Sequence, residues 1–568
     1  MQRQPPPVRT LADVDRLVRK MTLDQKVGQC LTLAFYGTVI TSEVVDLIEK
    51  LHCGGLRLTP HVNTSGSPDL VRRLAPYYTP AQYAEALNEL QGIAAGRPLG
   101  LPLHMVTDQE GDLSVDYLHG GVNLFPSQMG LAASGSPAFV RTCARAVARQ
   151  LRAAGFHMVH SPVLDVNVNP KNPEIGCRSF SDSAERCARY GLAFMRGLRD
   201  GGIIATGKHF PGRGDSAVDA HHCLPVLKAS RARLEAVELL PYRRLIPEGL
   251  PAIMSAHNAY PALDGSGLPA SLSRRIITGL LRNELGFEGV VTTDAMGMGG
   301  VLAVGPTPEG CARAIAAGND LVLVKDFRGI PEASFAAVKR HVQTGKIPES
   351  QLNASVRRIL AMKLAYRVFA ERRADPAGAE RAVRDPATVR LSREAARRAL
   401  MLLRDRGRLL PLSGARKILV LLPIRQEYHE KGNDFWCAPQ RLYQAIRKFA
   451  PRAALAEFAV PAAPEAVRHA VKRSADFDLT VVFNQVWRGP ATSRGVIRKL
   501  IAAGRRVAVV SNSIYDDRFL PEAGTLLVTC SAMPPGMDAA AAALFGKLAP
   551  SGRWPLAEQE HPACAGAR

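Results

Sequence analysis

The sequence predicts an α/β protein, with an N-terminal (β/α)8 barrel of the TIM type followed by a smaller α/β sandwich domain. Eight short apolar runs, each separated from the next by room for a helix, occupy roughly the first 330 residues. A polar, proline-broken segment follows, and four more apolar runs lie beyond it. We therefore expect a barrel over residues 1–370, a linker over 371–391 and a sandwich domain over 392–568.

The barrel strands are predicted where β-branched and aliphatic residues form short runs bounded by glycine or polar residues. The run that precedes Gly207 is expected to stop there and to leave Lys208 and His209 at its end. The eight predicted strands are Gln29–Phe35, Gly55–Thr59, Leu103–Asp108, Phe156–Ser161, Ile203–Thr206, Ala252–Ala256, Val290–Thr293 and Leu321–Val324.

The helices between these strands carry their own start signals. Thr10 and Asp13 have the spacing of a capping box, and so do Thr79 and Gln82, with Pro80 at the first helical position. The regular alternation of strands and helices favours a closed barrel over an open doubly wound sheet.

The second domain is predicted to begin with a helix from Ser392 to about Leu403. Its strand candidates are continuously apolar, which suits a parallel sheet covered on both faces. These candidates are Ile418–Leu422, Leu479–Phe483, Val507–Ser511 and Thr525–Thr529.

The chain is basic, with 73 Lys and Arg against 51 Asp and Glu and a net charge of +22. This excess is scattered and is not combined with exposed aromatic residues in one segment, so we expect no nucleic-acid partner. No apolar run approaches the ~20 residues that a membrane span requires. Ten cysteines without a C-x-x-C pair indicate reduced thiols. With no secretory signal visible, we expect a cytoplasmic protein that binds no membrane.

Charged or titratable residues occur at nearly every predicted strand end. In a barrel of this type these ends converge on one mouth, where chemistry collects. Each residue alone would more often be a cap or an ion-pair partner, but their recurrence at one face favours an active site. No nucleophilic-serine motif or metal motif is present, and no metal or organic cofactor is expected. The residues are Asp108, Asp165, Lys208, His209, His257, Asp294, Lys325 and Asp326.

Such a mouth suits a polyhydroxylated ligand and either acid–base or carboxylate-nucleophile chemistry. Five motifs together resemble glycoside hydrolase family 3, and specifically its β-N-acetylglucosaminidase branch. They are DQEGD, GCRSFSD, KHFPGRGDSAVDAHHCLP, MSAH…YPALDG and TTDAMGM. The resemblance extends from near Met21 to near Gly318, whereas the second domain matches more loosely.

The resemblance implies a retaining exo-glycosidase that releases terminal β-linked N-acetylglucosamine from cell-wall-derived or chitin-like saccharides by double displacement. It makes Asp294 the nucleophile and His221 the acid/base, paired with Asp219 in a mobile loop. An aspartate beside one ring nitrogen fixes the histidine tautomer and favours the imidazolium. His222 is interpreted as a bystander. Without a bound sugar, we expect the loop to hold His221 well away from Asp294.

The resemblance also assigns the residues that hold the sugar. Asp108, Arg178, Lys208 and His209 match positions that contact the ring hydroxyls of the non-reducing sugar, and His257 lies at the mouth with them. Lys208 and Arg178 would be charge-assisted donors that keep the substrate in register.

Three positions depart from the family pattern. Asp112 stands where a second glycine often follows the DQEG motif, Ala220 replaces a serine inside the loop, and Arg213 stands where many relatives have histidine. None of these changes removes a residue that the double displacement requires.

Several alternatives stay open. The first is a phosphorylase, because a histidine acid/base does not repel phosphate as a carboxylate would. The second is a β-glucosidase, as many two-domain relatives are, and the third is an inactive sugar-binding barrel. The sequence also leaves open the leaving group, the role of the second domain and the oligomeric state.

Overall fold

The computed structural model shows a closed barrel of eight parallel strands, followed by a second domain with its own sheet. It describes residues 8–37, 39–59, 79–112, 114–117, 121–326, 329–425, 439–486 and 492–557. The first ten strands are β1 Leu31–Tyr36, β2 Gly55–Thr59, β3 His104–Thr107, β4 Gln109–Gly111, β5 Ser114–Val115, β6 Met158–Val159, β7 Ile204–Phe210, β8 Ala252–Ser255, β9 Val290–Ala295 and β10 Leu321–Val324. The order around the barrel is β1-β2-β3-β6-β7-β8-β9-β10, while β4 and β5 form a separate hairpin. The predicted barrel is confirmed.

Strand β7 is longer than the sequence predicts. It continues past Gly207 to Phe210, so that Lys208 and His209 lie within the strand. Its register against β8 shifts between Lys208 and Phe210, which is the signature of a bulge. A bulge re-aims neighbouring side chains and occurs often beside active sites. The irregular backbone explains why a pattern of apolar residues alone ended this strand too early.

Helices surround the barrel, and their starts follow the signals in the sequence. Thr10 and Asp13 form the predicted capping box, as do Thr79 and Gln82 in front of Pro80. No helix in the described ranges is long and apolar enough to cross a membrane. The α-helices of this domain are Leu11–Lys20, Leu23–Gln29, Ser42–Glu49, Pro80–Ala95, Gln128–Ala132, Pro137–Ala153, Ala184–Asp200, Arg231–Ala236, Leu240–Leu245, Gly299–Leu302, Thr307–Ala317, Ile330–Gln343 and Glu349–Ala365, with a π-helix at Arg275–Glu284.

Residues 371–391, which the sequence predicts as a linker, are largely helical. Asp375 and Asp385 cap two helices, Pro376–Arg384 and Pro386–Ala399, each with proline at its first position. The first helix buries one face against the barrel core. Both Asp-Pro pairs start helices because aspartate caps the free N–H groups, and proline occupies a position whose N–H has no helical partner.

The second domain is a six-stranded sheet with an apolar cluster against each face, as continuously apolar strands predict. Its strands are β11 Met401–Asp405, β12 Ile418–Arg425, β13 Ala454–Val460, β14 Leu479–Asn484, β15 Val507–Ser511 and β16 Thr525–Val528. Its remaining helices are Pro439–Arg447, Pro464–Ser474, Arg494–Ala502, Asp516–Phe519 and Pro534–Leu544.

The strand order in this sheet is β11-β16-β15-β14-β12-β13, and only β11 is antiparallel to its neighbour among these strands. Two edge strands escaped prediction. β11 begins inside the segment predicted as the helix Ser392–Leu403, and β13 has an interrupted apolar pattern because its residues are partly exposed. Edge strands bury less surface and therefore carry a weaker sequence signal.

Asp112 ties the barrel to the second domain. It has a φ of 49°, in the left-handed region that glycine adopts most readily. Its carboxylate accepts hydrogen bonds from the side chain of Asn512 at 3.1 Å and from the backbone N–H of Ala532. The departure from glycine at this position therefore adds a buried connection between the two domains.

We expect Asp112→Gly to lower the free energy of unfolding by about 1–3 kcal/mol, because Asn512 and Ala532 lose a buried acceptor while the backbone conformation is kept. Calorimetric unfolding of both variants measures this loss. Asp112→Asn, which retains one acceptor oxygen, should lose less. A glycine variant as stable as the wild type would contradict the assignment.

Lys363 closes the end of the barrel opposite the mouth. Its Nζ is fully buried and lies 2.9 Å from Gln29 Oε1, 2.7 Å from the carbonyl of Gly54 and 2.8 Å from the carbonyl of Pro102. These acceptors stand just before β1, β2 and β3. Three acceptors match the three N–H bonds of an ammonium group and oppose the effect of burial, which lowers the pKa of Lys363 well below its usual value.

We expect Lys363→Met to lower the free energy of unfolding by about 3 kcal/mol or more, because three buried acceptors lose their donor. The Michaelis parameters of the folded fraction should stay near the wild-type values, since the substitution is far from the mouth. Denaturant titration measures the stability, with exposed Lys346→Met as the matched control. Equal stability of the two variants would contradict the prediction.

Candidate active site

Asp108 lies at the mouth of the barrel, directly after β3. Arg57 Nη2 is 2.5 Å from its Oδ2, and Lys208 Nζ is 3.3 Å from its Oδ1. Burial alone would raise the pKa of Asp108, but Arg57 and Lys208 outweigh it and hold the pKa well below its usual value. The side chain is ionised and 29% exposed, so it is available to accept hydrogen bonds from ligand hydroxyls.

Glu110 holds two of the predicted sugar-binding cations. It accepts a bidentate pair from Arg178, at 2.7 Å from Nε and 2.9 Å from Nη2, and its Oε1 is 2.6 Å from Lys208 Nζ. Only 2% of its side chain is exposed, so Glu110 is a buried carboxylate that orients Arg178 and Lys208. Sequence reasoning missed Glu110, although its position two residues after Asp108 puts both carboxylates on the same side of an extended segment.

Asp294, the predicted nucleophile, lies in β9 with 17% of its side chain exposed. Arg213 Nη1 is 3.5 Å from its Oδ2, and His209 Nε2 is 3.8 Å from the same oxygen. Burial raises the pKa of Asp294, but nearby positive charge, chiefly that of Arg213, outweighs burial and lowers the pKa to about 2. The carboxylate is therefore ionised at neutral pH, as a nucleophile must be.

His209 is held on both sides by protein groups. Arg213 Nη2 is 2.9 Å from Nε2, and because a guanidinium only donates, Nε2 accepts and the proton is assigned to Nδ1. Nδ1 in turn lies 2.6 Å from Asp165 Oδ2. Burial, followed by the charge of Arg213, keeps the pKa of His209 well below its usual value, so the ring is neutral. Its ring lies beside Arg213 and Asp294, and its predicted contact with the sugar stays a prediction.

His257 also lies beneath the mouth. The ring is fully buried, with Nδ1 2.8 Å from Ser271 Oγ and Nε2 3.1 Å from the carbonyl of Ala295. The carbonyl accepts, so Nε2 is the donor and Nδ1 accepts from the serine hydroxyl. Both nitrogens are occupied by the protein. These contacts place His257 beneath the strand that carries Asp294, and its predicted role in sugar binding stays a prediction.

His221 and Asp219 form the predicted pair, and a third residue joins them. His221 Nδ1 is 2.7 Å from Asp219 Oδ1 and 3.0 Å from Glu174 Oε1. Two carboxylates thus face one ring nitrogen, and because carboxylates only accept, a hydrogen is assigned to Nδ1. The ring is 32% exposed, whereas Glu174 is 1% exposed. Glu174 was not predicted, because nothing in the sequence pairs it with a loop 47 residues away.

The loop that carries this pair is held against the loop that follows Asp294. The backbone N–H of Gly299 donates to the carbonyl of His221 at 3.1 Å, and that of Gly300 donates to the carbonyl of Ala220 at 3.0 Å. A Cβ on Gly299 would lie 2.4 Å from the loop backbone, so only glycine permits this approach. The loop is closed onto the site, which differs from the expected open position.

Glu174, Asp219 and His221 are also the group among the described residues whose spacing would suit a metal ion. Their ligand atoms lie within 4.8 Å of one another. The guanidinium of Arg213, however, has Nη1 3.4 Å from Glu174 Oε1 and already neutralises that carboxylate. A cation is opposed by this charge, and the geometry suits proton transfer better.

A cavity of about 490 Å³ lies between the barrel and the second domain. Glu174 and Arg178 line it on the barrel side, so it adjoins the site. Arg494, Asn512 and Phe519 line it from the second domain. The second domain therefore forms one wall of a space that opens beside His221 and its partners.

Comparison with known proteins identifies the family. Residues 22–362 match the sequence profile of the glycosyl hydrolase family 3 N-terminal domain. The chain belongs to glycosyl hydrolase family 3. The matched segment covers the barrel almost completely and contains every predicted site residue of this family 3 protein.

Relatives of known name agree with this assignment. The chain is 31% identical to β-hexosaminidase A of Pseudoalteromonas piscicida over 61% of each protein, and 35% identical to a β-hexosaminidase of Alkalilimnicola ehrlichii over 55% of this chain and 84% of the relative. Among solved structures, a family 3 β-N-acetylglucosaminidase from Paenibacillus sp. str. FPU-7 superposes with a TM-score of 0.81 at 31% identity, covering 94% of this chain and 99% of that one.

Proposed function

We propose that this chain is a retaining β-N-acetylglucosaminidase that removes terminal β-linked N-acetylglucosamine from saccharides. One observation supports it most: an ionised carboxylate, Asp294, shares the barrel mouth with a partly exposed imidazole, His221, whose Nδ1 faces the carboxylates of Asp219 and Glu174. A nucleophile and an acid/base are the two groups that double displacement requires. The similar proteins named above act on this class of sugar.

In the proposed reaction, Asp294 attacks the anomeric carbon while His221 delivers the Nε2 proton to the departing oxygen. The bond from the anomeric carbon to the leaving group breaks, and a glycosyl ester on Asp294 results. His221, now neutral, then takes a proton from water as the water oxygen attacks the same carbon. The ester bond breaks, Asp294 regains its charge, and the sugar leaves with its configuration retained.

The remaining assignments follow from exposure. Asp108 has 29% of its side chain exposed and Arg178, although nearly buried at 10%, lines the cavity between the domains, so we assign both to the sugar hydroxyls. Lys208, at 4% exposure, contributes a nearly buried charge beside Asp108. We assign His209 and His257 to the support of Asp294.

The leaving group is proposed to enter the cavity between the domains. A leaving group must depart on the side of the acid, and Glu174, which contacts His221, lines this cavity. Its polar and aromatic lining from the second domain, Asn512 and Phe519, suits a further sugar residue. Cell-wall-derived or chitin-like fragments carry a terminal N-acetylglucosamine for the barrel mouth and a further sugar residue for this cavity. We also propose a cytoplasmic location, since the cysteines in the described ranges carry free thiols.

Product analysis tests the proposal. The purified enzyme is given a muropeptide disaccharide, chitobiose and an aryl glucoside, each with and without phosphate, and the first-formed anomer is followed by NMR. We expect free β-N-acetylglucosamine from the first two substrates, with or without phosphate. Sugar 1-phosphate as the main product would make the protein a phosphorylase, and preference for the glucoside would make it a β-glucosidase. Initial release of the α-anomer would exclude retention.

A further inference from the structure

Arg213 occupies the centre of the site without belonging to either predicted catalytic pair. Its side chain is 1% exposed, and it follows β7 in the loop that leads to His221. Nη1 lies 3.5 Å from Asp294 Oδ2 and 3.4 Å from Glu174 Oε1, almost midway between the two carboxylates. Neither Nη1 nor Nε has a hydrogen-bond partner within the part of the chain that the structure describes. Buried donors left in this state call for a functional explanation.

Glu174 connects this cation to the acid/base. Its Oε1 faces both Arg213 Nη1 and His221 Nδ1, while its Oε2 accepts the backbone N–H of Ala220 at 3.1 Å. Burial raises the pKa of Glu174, but Arg213 and then the His221 hydrogen bond outweigh it and lower the pKa to about 2. Oε1 of Glu174 therefore interacts both with the guanidinium of Arg213 and with the Nδ1 proton of His221.

The charge on Arg213's two partners changes during double displacement. In the free enzyme both Asp294 and Glu174 are anionic and share the guanidinium. When Asp294 bonds to the anomeric carbon its charge is lost, and the proton of His221 leaves with the departing oxygen. Glu174 is then the anion that remains of the two, and nothing competes with it for Nη1.

We propose that Arg213 is a positioning residue that couples the two steps, being shared by Asp294 and Glu174 in the free enzyme and paired with Glu174 in the glycosyl-enzyme. The stronger pairing draws the negative charge of Glu174 away from His221, which weakens the hold of His221 on a proton. This favours the neutral form of His221 in the glycosyl-enzyme, which is the form that can accept a proton from water. This inference depends on the proposed function, because it requires a glycosyl ester at Asp294.

Two further groups contact Arg213, and burial raises the pKa of one of them, Asp165, to about 6. Asp165 accepts the backbone N–H of Arg213 at 2.7 Å, and neutral His209 accepts from Nη2. Neither touches the reacting carbon, so the ester at Asp294 is the change that Arg213 senses. Among the described residues, the titratable and charged groups whose charges act on Arg213, His221 or their partners include Asp165, Glu174, Arg178, Lys208, His209, Asp219, His257 and Asp294.

The test compares the pKa of His221 before and after the ester forms. The basic limb of kcat/KM reports His221 in the free enzyme, where it must be protonated. The acid limb of kcat, for an activated aryl glycoside whose deglycosylation is rate-limiting, reports it in the glycosyl-enzyme, where it must be neutral. We expect the second pKa to lie about one unit or more below the first in the wild type.

Two variants test the coupling, one by removing the cation of Arg213 and the other by removing the charge of Glu174. Arg213→Met and Glu174→Gln should each reduce the difference between the two pKa values to less than half of the wild-type difference. The basic limb of kcat/KM should move to higher pH in Arg213→Met, because Glu174 then acts on His221 alone. It should move to lower pH in Glu174→Gln, because that carboxylate charge is gone. A structural role alone predicts no such opposite shifts.

Arg213→Lys keeps a cation between Asp294 and Glu174, and it should restore much of the difference between the two pKa values. This variant serves as the test if Arg213→Met folds poorly. An unchanged difference in folded Arg213→Met or Glu174→Gln would overturn the coupling. Trapping with a fluorinated N-acetylglucosaminide and peptide mass spectrometry separates the two proposals. If the ester forms at Asp294 but the difference between the two pKa values is unchanged in the variants, only the coupling is contradicted. If no ester forms at Asp294, the proposed function itself is contradicted.

Discussion

Asp294→Ala is expected to lower kcat/KM by on the order of 10⁴-fold or more for every substrate, whatever its leaving group. The reason is that no other described carboxylate at the mouth is placed to form the glycosyl ester: Asp108 is held by Arg57 and Lys208, and Glu174 is 1% exposed. Steady-state rates on an aryl N-acetylglucosaminide and on chitobiose measure the loss.

Azide provides the diagnostic readout for this variant. The truncated side chain leaves space for a small anion on the side of the sugar that Asp294 would attack. Azide should form a bond to the anomeric carbon there, while the activated leaving group departs, and give the α-glycosyl azide. The matched control is Asp200→Ala, which removes an exposed ion pair with Arg141 on an outer helix and should turn over normally. Residual wild-type activity, or rescue that yields a β-azide, would contradict the assignment of Asp294.

His221→Ala should separate substrates by their leaving groups. Natural disaccharides, whose departing oxygen needs a proton, should lose about 10²–10⁴-fold in kcat/KM, while glycosylation by nitrophenyl glycosides is largely spared. The measurement is the dependence of log kcat/KM on leaving-group pKa across a series of aryl glycosides. The dependence should become steep in the variant, because the leaving group departs without help.

The neighbouring His222→Ala is the matched control, since it removes an imidazole one residue away that makes none of the contacts of the Asp219–His221 pair. It should retain nearly wild-type rates for all leaving groups. An equal loss on natural and activated substrates in His221→Ala would argue that this residue is not the acid. The corresponding loss in His222→Ala would transfer the role to the neighbour.

Local signals explain how much of the fold was predictable. The eight barrel strands are short apolar runs, and capped helices such as those that start after Thr10 and Thr79 carry their signals within four residues. The errors occur where the signal is not local. β13, for example, is an edge strand with an interrupted apolar pattern, and β11 begins inside the segment predicted as a helix.

The sequence by itself predicted the barrel from its strand pattern, and its resemblance to family 3 implied roles for Asp294, His221 and Asp219, because strand patterns and motifs consist of residues that are neighbours along the chain. Only the tertiary structure decided what these residues touch. The bond between Arg178 and Glu110 spans 68 residues, and that between His221 and Glu174 spans 47. The physical reason is that barrel closure brings the carboxyl ends of distant strands to one mouth, and the charge of a buried side chain depends on neighbours that no local pattern specifies.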